Sequence, residues 1–149
     1  MKLLLKTQVS ANYKNVMNGF DLELFKALKP PLMSLLVERF DGCKVGDEVH
    51  LKVGIGPMYK KWVSLITDYK ESEDQIYFTD EGKVLPFPLK LWKHNHRVIK
   101  LGPHKSEIKD DIEYSSGNRI LDICMYPVLY LQFAFRIPVY KKVFSKVDL

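Results

Sequence analysis

The sequence predicts an α+β domain in which one curved antiparallel sheet of seven strands wraps around a long C-terminal helix. Three observations carry this. Between residues 33 and 114, six strand-like runs follow one another, separated by short polar or Gly/Pro-containing turns. Another such run, residues 2–9, stands apart, ahead of two short helical segments. From about residue 119 the chain becomes a long apolar stretch with helical spacing. Strands joined by short turns pair antiparallel. Helices segregated from such a sheet give the α+β arrangement.

The elements follow in order. Residues 2–9 form the first strand, and their apolar run Leu3–Leu5 stops at Lys6. That is short of the ~7–15 residues a signal-peptide core needs. Asn12 can cap a short helix that stops at Gly19. Asp21 can cap a second, with Leu22, Phe25 and Leu28 on one face and Pro30-Pro31 ending it. The two helices together make a bent, V-shaped unit. Residues 33–40 read as the second strand, and "DGCKVGD" turns the chain. Residues 48–55 alternate, with Val49, Leu51, Val53 and Ile55 on one face. "GPMYK" is a turn, residues 61–69 run back, and "KESED" leads into residues 75–80. A loop with Gly82, Pro86 and Pro88 precedes the strand 89–101, and "GPHK" turns it into 106–114. "SSGN" hands over to the last helix, about 119–146, where Pro138 should kink or end the helix.

A length of 149 residues suits one domain, 1–149, large enough to bury a core. Cys43 and Cys124 match no metal-ligand spacing and are expected as reduced thiols in a cytoplasmic protein. Residues 120–140 are the most apolar region, but they include Asp122, Gln132, Arg136 and two prolines. That composition suits a helix buried on one face better than a membrane span. The net charge of +5 is spread along the chain, with no Arg-rich run or nucleic-acid motif. No nucleic-acid partner is expected, while transient contact with an anionic membrane surface fits the charge.

The stretch "KLWKHNHRV" places His94 and His96 two apart beside Trp92. Along a strand, alternate side chains share a face. In the last strand Glu107, Lys109, Asp111 and Glu113 share one face and belong in water, so Ile108, Asp110, Ile112 and Tyr114 point inward. A hairpin centred near Pro103 sets His96 opposite Asp110, His94 opposite Ile112 and Trp92 opposite Tyr114, which turns the histidines inward. A one-residue slip would bury Lys93 and Arg97 instead. One hairpin earlier, Ile66 opposite Phe78 and Ser64 opposite Asp80 put Trp62, Ser64, Ile66, Phe78 and Asp80 on the same inner face. So many inward polar groups mark either a cavity holding water or ligand or a filled, hydrogen-bonded core in which Asp110 orients a histidine.

This order of elements resembles the SRPBCC (START and birch-pollen-allergen-like) superfamily, and within it bacterial ligand-binding proteins, some labelled cell division inhibitor. The matching residues are Phe78-Thr79-Asp80, Leu85-Pro86-Phe87, Trp92-Lys93-His94-Asn95-His96 and Asp110 to Tyr114, where the family pattern reads F-x-D, G-P-F, W-x-H-x-H and D-x-x-x-Y. Leu85 stands where that pattern has glycine. The resemblance spans essentially the whole chain and implies a helix-grip fold that binds a hydrophobic small molecule or lipid between sheet and helix. Some members of the superfamily are cyclases or dehydratases.

Three uses of the inner face follow. As a binding site, Trp62, Ile66, Phe78, Trp92, Ile112, Met125, Leu129 and Phe133 supply apolar wall, and Ser64, His94, His96, Asp110 and Tyr114 hold a polar headgroup. As a cyclase- or dehydratase-type enzyme, His96 and Asp110 form an acid/base pair. As a ligand-free interaction module, the core is filled. His94, His96 and Asp110 also have the types of a metal triad. No cysteine joins them and Asp110 can orient a histidine instead, so neither metal nor cofactor is expected. Binding of a hydrophobe is the leading expectation.

Overall fold

The computed structural model describes residues 1–145. Its strands are β1 (Lys2–Val9), β2 (Ser34–Phe40), β3 (Glu48–Ile55), β4 (Met58–Glu71), β5 (Gln75–Val84), β6 (Leu91–Gly102) and β7 (Lys105–Ser115). They form one curved antiparallel sheet in the order β1-β7-β6-β5-β4-β3-β2. Every hairpin pairs with its chain neighbour, and β1 closes against the last strand. Two short helices, α1 (Tyr13–Asn18) and α2 (Leu22–Ala27), follow β1. Asn12 and Asp21 cap them through their side-chain oxygens, as the sequence predicts. In α2 the buried face differs from the expected one, because Leu24 and Leu28 enter the core while Leu22 and Phe25 are only half-buried.

The C-terminal helix is broken. α3 (Arg119–Ala134) and α4 (Arg136–Val143) meet at Phe135. Pro138 is then the third residue of α4, in a first turn whose N–H groups have no intrahelical partner, so the ring costs no hydrogen bond there. The break falls three residues earlier than the proline itself. Lys146, the expected end of the helix, lies outside the described residues. Leu129, Phe133 and Tyr140 bury one face of this helical unit. The opposite face is also apolar, with Ile120 75% and Leu131 68% exposed. By length and composition alone, Arg119–Val143 is long and apolar enough to cross a membrane, although one face grips the sheet.

The β6–β7 register is the expected one: Trp92 opposite Tyr114, His94 opposite Ile112 and His96 opposite Asp110. The β4–β5 register is not. Ile66 faces Asp80, Ser64 faces Gly82, and Phe78 lies opposite Tyr69. The register shifts at Val63/Ser64 and at Ile66/Asp68, and each extra residue moves the pairing in a way no turn can announce. The displacement of Ile66 is two residues, which preserves the face. Ser64, Ile66, Phe78 and Asp80 therefore still point inward. β4 and β5 also run longer than expected, so the first turn shrinks and Gly82 belongs to a strand. Ile55, expected on the apolar face of β3, ends that strand 77% exposed.

Gly54 lies where the β3–β4 hairpin backbones approach closely, and a Cβ there would run into the Met58 carbonyl. The obstacle is backbone, so no side-chain rotation relieves it. Gly54→Ala is expected to destabilise by about 1–3 kcal/mol, read as a lower urea midpoint at unchanged slope.

Two apolar clusters fill the inner face. One gathers Val16, Met17, Leu24, Val98, Ile108 and Phe144 near α1 and α2. The other gathers Leu3, Trp92, Ile112, Tyr114, Leu129 and Phe133 under α3. Along β6 and β7, His94, His96 and Asp110 stand between them.

Candidate functional site

A cavity of about 200 Å³ opens between the sheet, α2 and the C-terminal helix. The expected wall residues Trp62, Ile66, Phe78, Trp92, Leu129 and Phe133 line it, as do the polar Ser64, His94 and His96. Trp62 and Trp92 pack edge to face with centroids 5.1 Å apart. Four expected residues stand behind the wall. Asp110 is buried beneath His94, and Ile112 and Tyr114 are fully buried in the cluster under α3. Met125 packs against that cluster from the helix. Tyr114 does not offer its hydroxyl to a ligand headgroup, because the hydroxyl donates to the Asp122 carbonyl at 2.8 Å. Asp122 in turn accepts from the Ser116 amide at 2.6 Å, and Asn118 caps α3 through the amides of Ile120 and Leu121. These bonds fasten the start of α3 to the end of β7 and so set the helix over the cavity.

The polar floor is a quartet of two histidines and two aspartates. Asp80 lies opposite His94 on β5, and Asp110 lies opposite His96 on β7. The short bonds cross this register. His94 Nε2 meets Asp110 Oδ1 at 2.8 Å, and His96 Nε2 meets Asp80 Oδ2 at 2.7 Å. The directly opposite pairs are longer: 3.7 Å from His94 Nδ1 to Asp80 and 3.9 Å from His96 Nδ1 to Asp110. The expected His96–Asp110 pair is therefore replaced by two diagonal ones. The reason is steric and local. The imidazoles, two apart on one strand, lie against each other with centroids 3.5 Å apart and planes tilted by 33°, and each ring reaches a diagonal neighbour.

Further donors complete the network. Trp62 Nε1 donates to Ser64 Oγ at 2.9 Å, and Ser64 Oγ donates to Asp80 Oδ1 at 3.1 Å. Tyr140 donates its hydroxyl to Asp110 Oδ1 at 3.4 Å, and Arg136 stands 3.5 Å from the same oxygen. Phe78 stacks on His96 at 4.3 Å, and Arg136 lies over the Phe133 ring at 4.2 Å.

Burial, aided by the neighbouring His96, pushes the His94 imidazole down to about 4, despite the Asp110 bond. His94 is thus neutral at pH 7. Burial works against ionised Asp110, but the His94 bond and the Arg136 charge outweigh it and hold the carboxyl at about 2. For Asp80 the burial penalty is likewise outweighed, chiefly by the His96 bond, and its carboxyl lies below the usual range. Ionised carboxylates only accept, so both Nε2 atoms carry the proton. His94 Nδ1 is then a lone pair facing Asp80. His96 Nδ1 is buried with no hydrogen-bond partner among the described residues. Cys43, also in the wall, is pushed up to about 12 by burial and stays a thiol.

Sequence reasoning missed two parts of the site. The wall formed by Leu24, Phe25, Leu28, Leu35, Val49 and Leu51 comes from the far side of the cavity, which no local pattern reports. Arg136 was legible in principle. Counting 3.6 residues per turn from Leu129 and Phe133 carries Arg136 and Tyr140 to the same inward face.

No protein-family model matches this sequence, and no curated protein sequence matches it significantly. Solved structures do resemble it. A Chromobacterium violaceum protein superposes with a TM-score of 0.70 at 15% identity, over 97% of this chain and 96% of that one. The ZhuI aromatase/cyclase of Streptomyces sp. R1128 gives 0.65 at 11% identity, over 99% and 98%. Norcoclaurine synthase of Thalictrum flavum, solved as a point mutant with a transition-state analogue, gives 0.61 at 14% identity, over 94% and 93%. The chain thus shares a helix-grip fold with these structures. Identities this low establish the fold and leave the chemistry to be argued from the site.

Proposed function

We propose that the cavity binds a small hydrophobic molecule bearing a polar group, for storage, transport or sensing. The observation that carries this is the cavity itself: apolar walls from α2, β3 and α3 over a floor holding Asp80, His96 and Arg136. Its volume of about 200 Å³ lies below the ~300–1,000 Å³ of drug-sized sites, which favours a one- or two-ring compound over a long-chain lipid. The resemblance to bacterial ligand-binding SRPBCC proteins, and an aromatase/cyclase among the structural neighbours, agree with a small hydrophobic occupant. Both Nε2 atoms are tied to carboxylates, so the floor suits orientation of a ligand better than proton transfer. Trp62 and Trp92 supply the assay. Titration with 2-naphthol, a two-ring compound with one polar group, is expected to change their emission saturably. An unchanged emission in folded protein would leave the cyclase or filled-core readings in place.

One observation favours a second role at the surface. The outward face of α3, with Ile120, Ile123, Val128 and Leu131 exposed, together with the net charge of +5, fits transient docking on an anionic membrane from a reducing, cytoplasmic compartment. Retention on phosphatidylserine vesicles that weakens with salt is the expected result, and equal retention on neutral vesicles contradicts it.

A further inference from the structure

We propose that Asp80, His94 and His96 form a site for a single divalent transition-metal ion, with zinc the best match, in the floor of the cavity. One ligand atom from each residue falls within 4.8 Å of the others. The ring nitrogens that approach Asp80 are His94 Nδ1 and His96 Nε2, and we take these with Asp80 Oδ2 as the ligand atoms. Asp80 Oδ2 stands 3.7 Å from the first and 2.7 Å from the second. Two ligands on a tetrahedral ion with bonds of ~2.0–2.1 Å are separated by roughly 3.3 Å, so small side-chain shifts seat the ion. Two imidazoles and one carboxylate are the donor set that suits zinc and its neighbours. All three residues line the cavity, so the fourth position opens toward it.

Two features of the floor are otherwise unaccounted for. The first is the His94 Nδ1 lone pair, which faces a carboxylate oxygen with no donor between them. A cation there removes the repulsion. His94 already has the support a ligating histidine requires, because its other nitrogen donates to Asp110 at 2.8 Å. The second is the partnerless nitrogen of His96. Coordination through Nε2 moves the imidazole proton to Nδ1, where it faces the Asp110 carboxylate, whose Oδ1 stands 3.9 Å away. Asp110, the carboxylate the sequence offered as third ligand, is instead the residue that orients His94.

The test uses metal-stripped full-length protein and the bare ions. Calorimetric titration with Zn²⁺ is expected to show one equivalent bound, and Co²⁺ should give the visible absorption of four-coordinate cobalt. Asp80→Asn and His94→Gln should each weaken binding about tenfold or more, while His104→Gln, at an exposed turn, should not. Co²⁺ should also broaden the ring resonances of His94 and His96 in the wild-type protein, a readout that needs no variant to fold. Absence of saturable uptake overturns the proposal. So does uptake that survives Asp80→Asn and is lost on His50→Gln, which would place the ion on the surface His50–Glu48 pair.

Discussion

Asp110→Leu is expected to destabilise the protein by about 3–5 kcal/mol, the largest effect of any single substitution in the site. Asp110 is 3% exposed and accepts from His94 and Tyr140 beside Arg136. Leucine removes the nearer counter-charge of a half-buried guanidinium and leaves two donors without an acceptor. Asp110→Asn keeps the shape and one acceptor, and its expected cost is smaller, about 1–3 kcal/mol. Urea unfolding at pH 7 checks both: the midpoint falls while the slope stays constant if the native state is otherwise intact. An Asp110→Leu protein as stable as wild type would mean that the quartet is not organised as described.

The same groups set an acid limit. Both folded-state values lie below the unfolded ones, so each group's contribution is present above its unfolded pKa and is lost as pH falls through the folded value. For His94 that window runs from its ordinary value near 6.5 down to about 4. For Asp110 it runs from its ordinary value near 3.8 down to about 2. Stability is therefore expected to decline on acidification from neutrality. A melting temperature that rises between pH 7 and pH 5 would contradict the assignment of His94 as neutral.

The second large effect concerns the cavity. Leu51, on β3 opposite Trp62, points into it and is only 7% exposed. Leu51→Trp fills the space from the β3 wall, at a residue outside the polar quartet. Affinity for the naphthalene probe should fall about tenfold or more, a loss of ~1.4 kcal/mol of binding. Because the added atoms enter empty space, the cost in stability should be smaller than that of Asp110→Leu. Val49→Phe repeats the test from one turn of the pleat away. Unchanged affinity in both folded variants would place the probe elsewhere on the surface.

The order of elements was legible because each turn carried its own chemistry and the strands alternated. The β6–β7 register was legible for two reasons: a tight turn at Pro103 sets the pairing sum, and the Glu-Lys-Asp-Glu face of β7 cannot be buried. β4–β5 shows what defeats that reasoning. Its bulges near Ser64 and Thr67 leave no mark in composition, so the face was legible and the partners were not. The histidine partners escaped for another reason. Register names the residue opposite, but the close packing of the tilted His94 and His96 rings decides which carboxylate each nitrogen reaches. The helix break was anticipated from Pro138 but lies at Phe135, since proline is tolerated in the first turn of the helix that contains it. The far wall, from α2 to β3, depends on how the sheet curves, which is a property of the whole chain.

The central claim is that this cavity holds a small hydrophobe. Its most direct test is the native mass spectrum of protein purified without detergent, with organic-solvent extraction of whatever travels with it. The account predicts one kind of bound compound of one or two rings, diminished in Leu51→Trp. A folded wild-type protein that carries nothing extractable, and that takes up no ring compound when offered a panel of them, would contradict it.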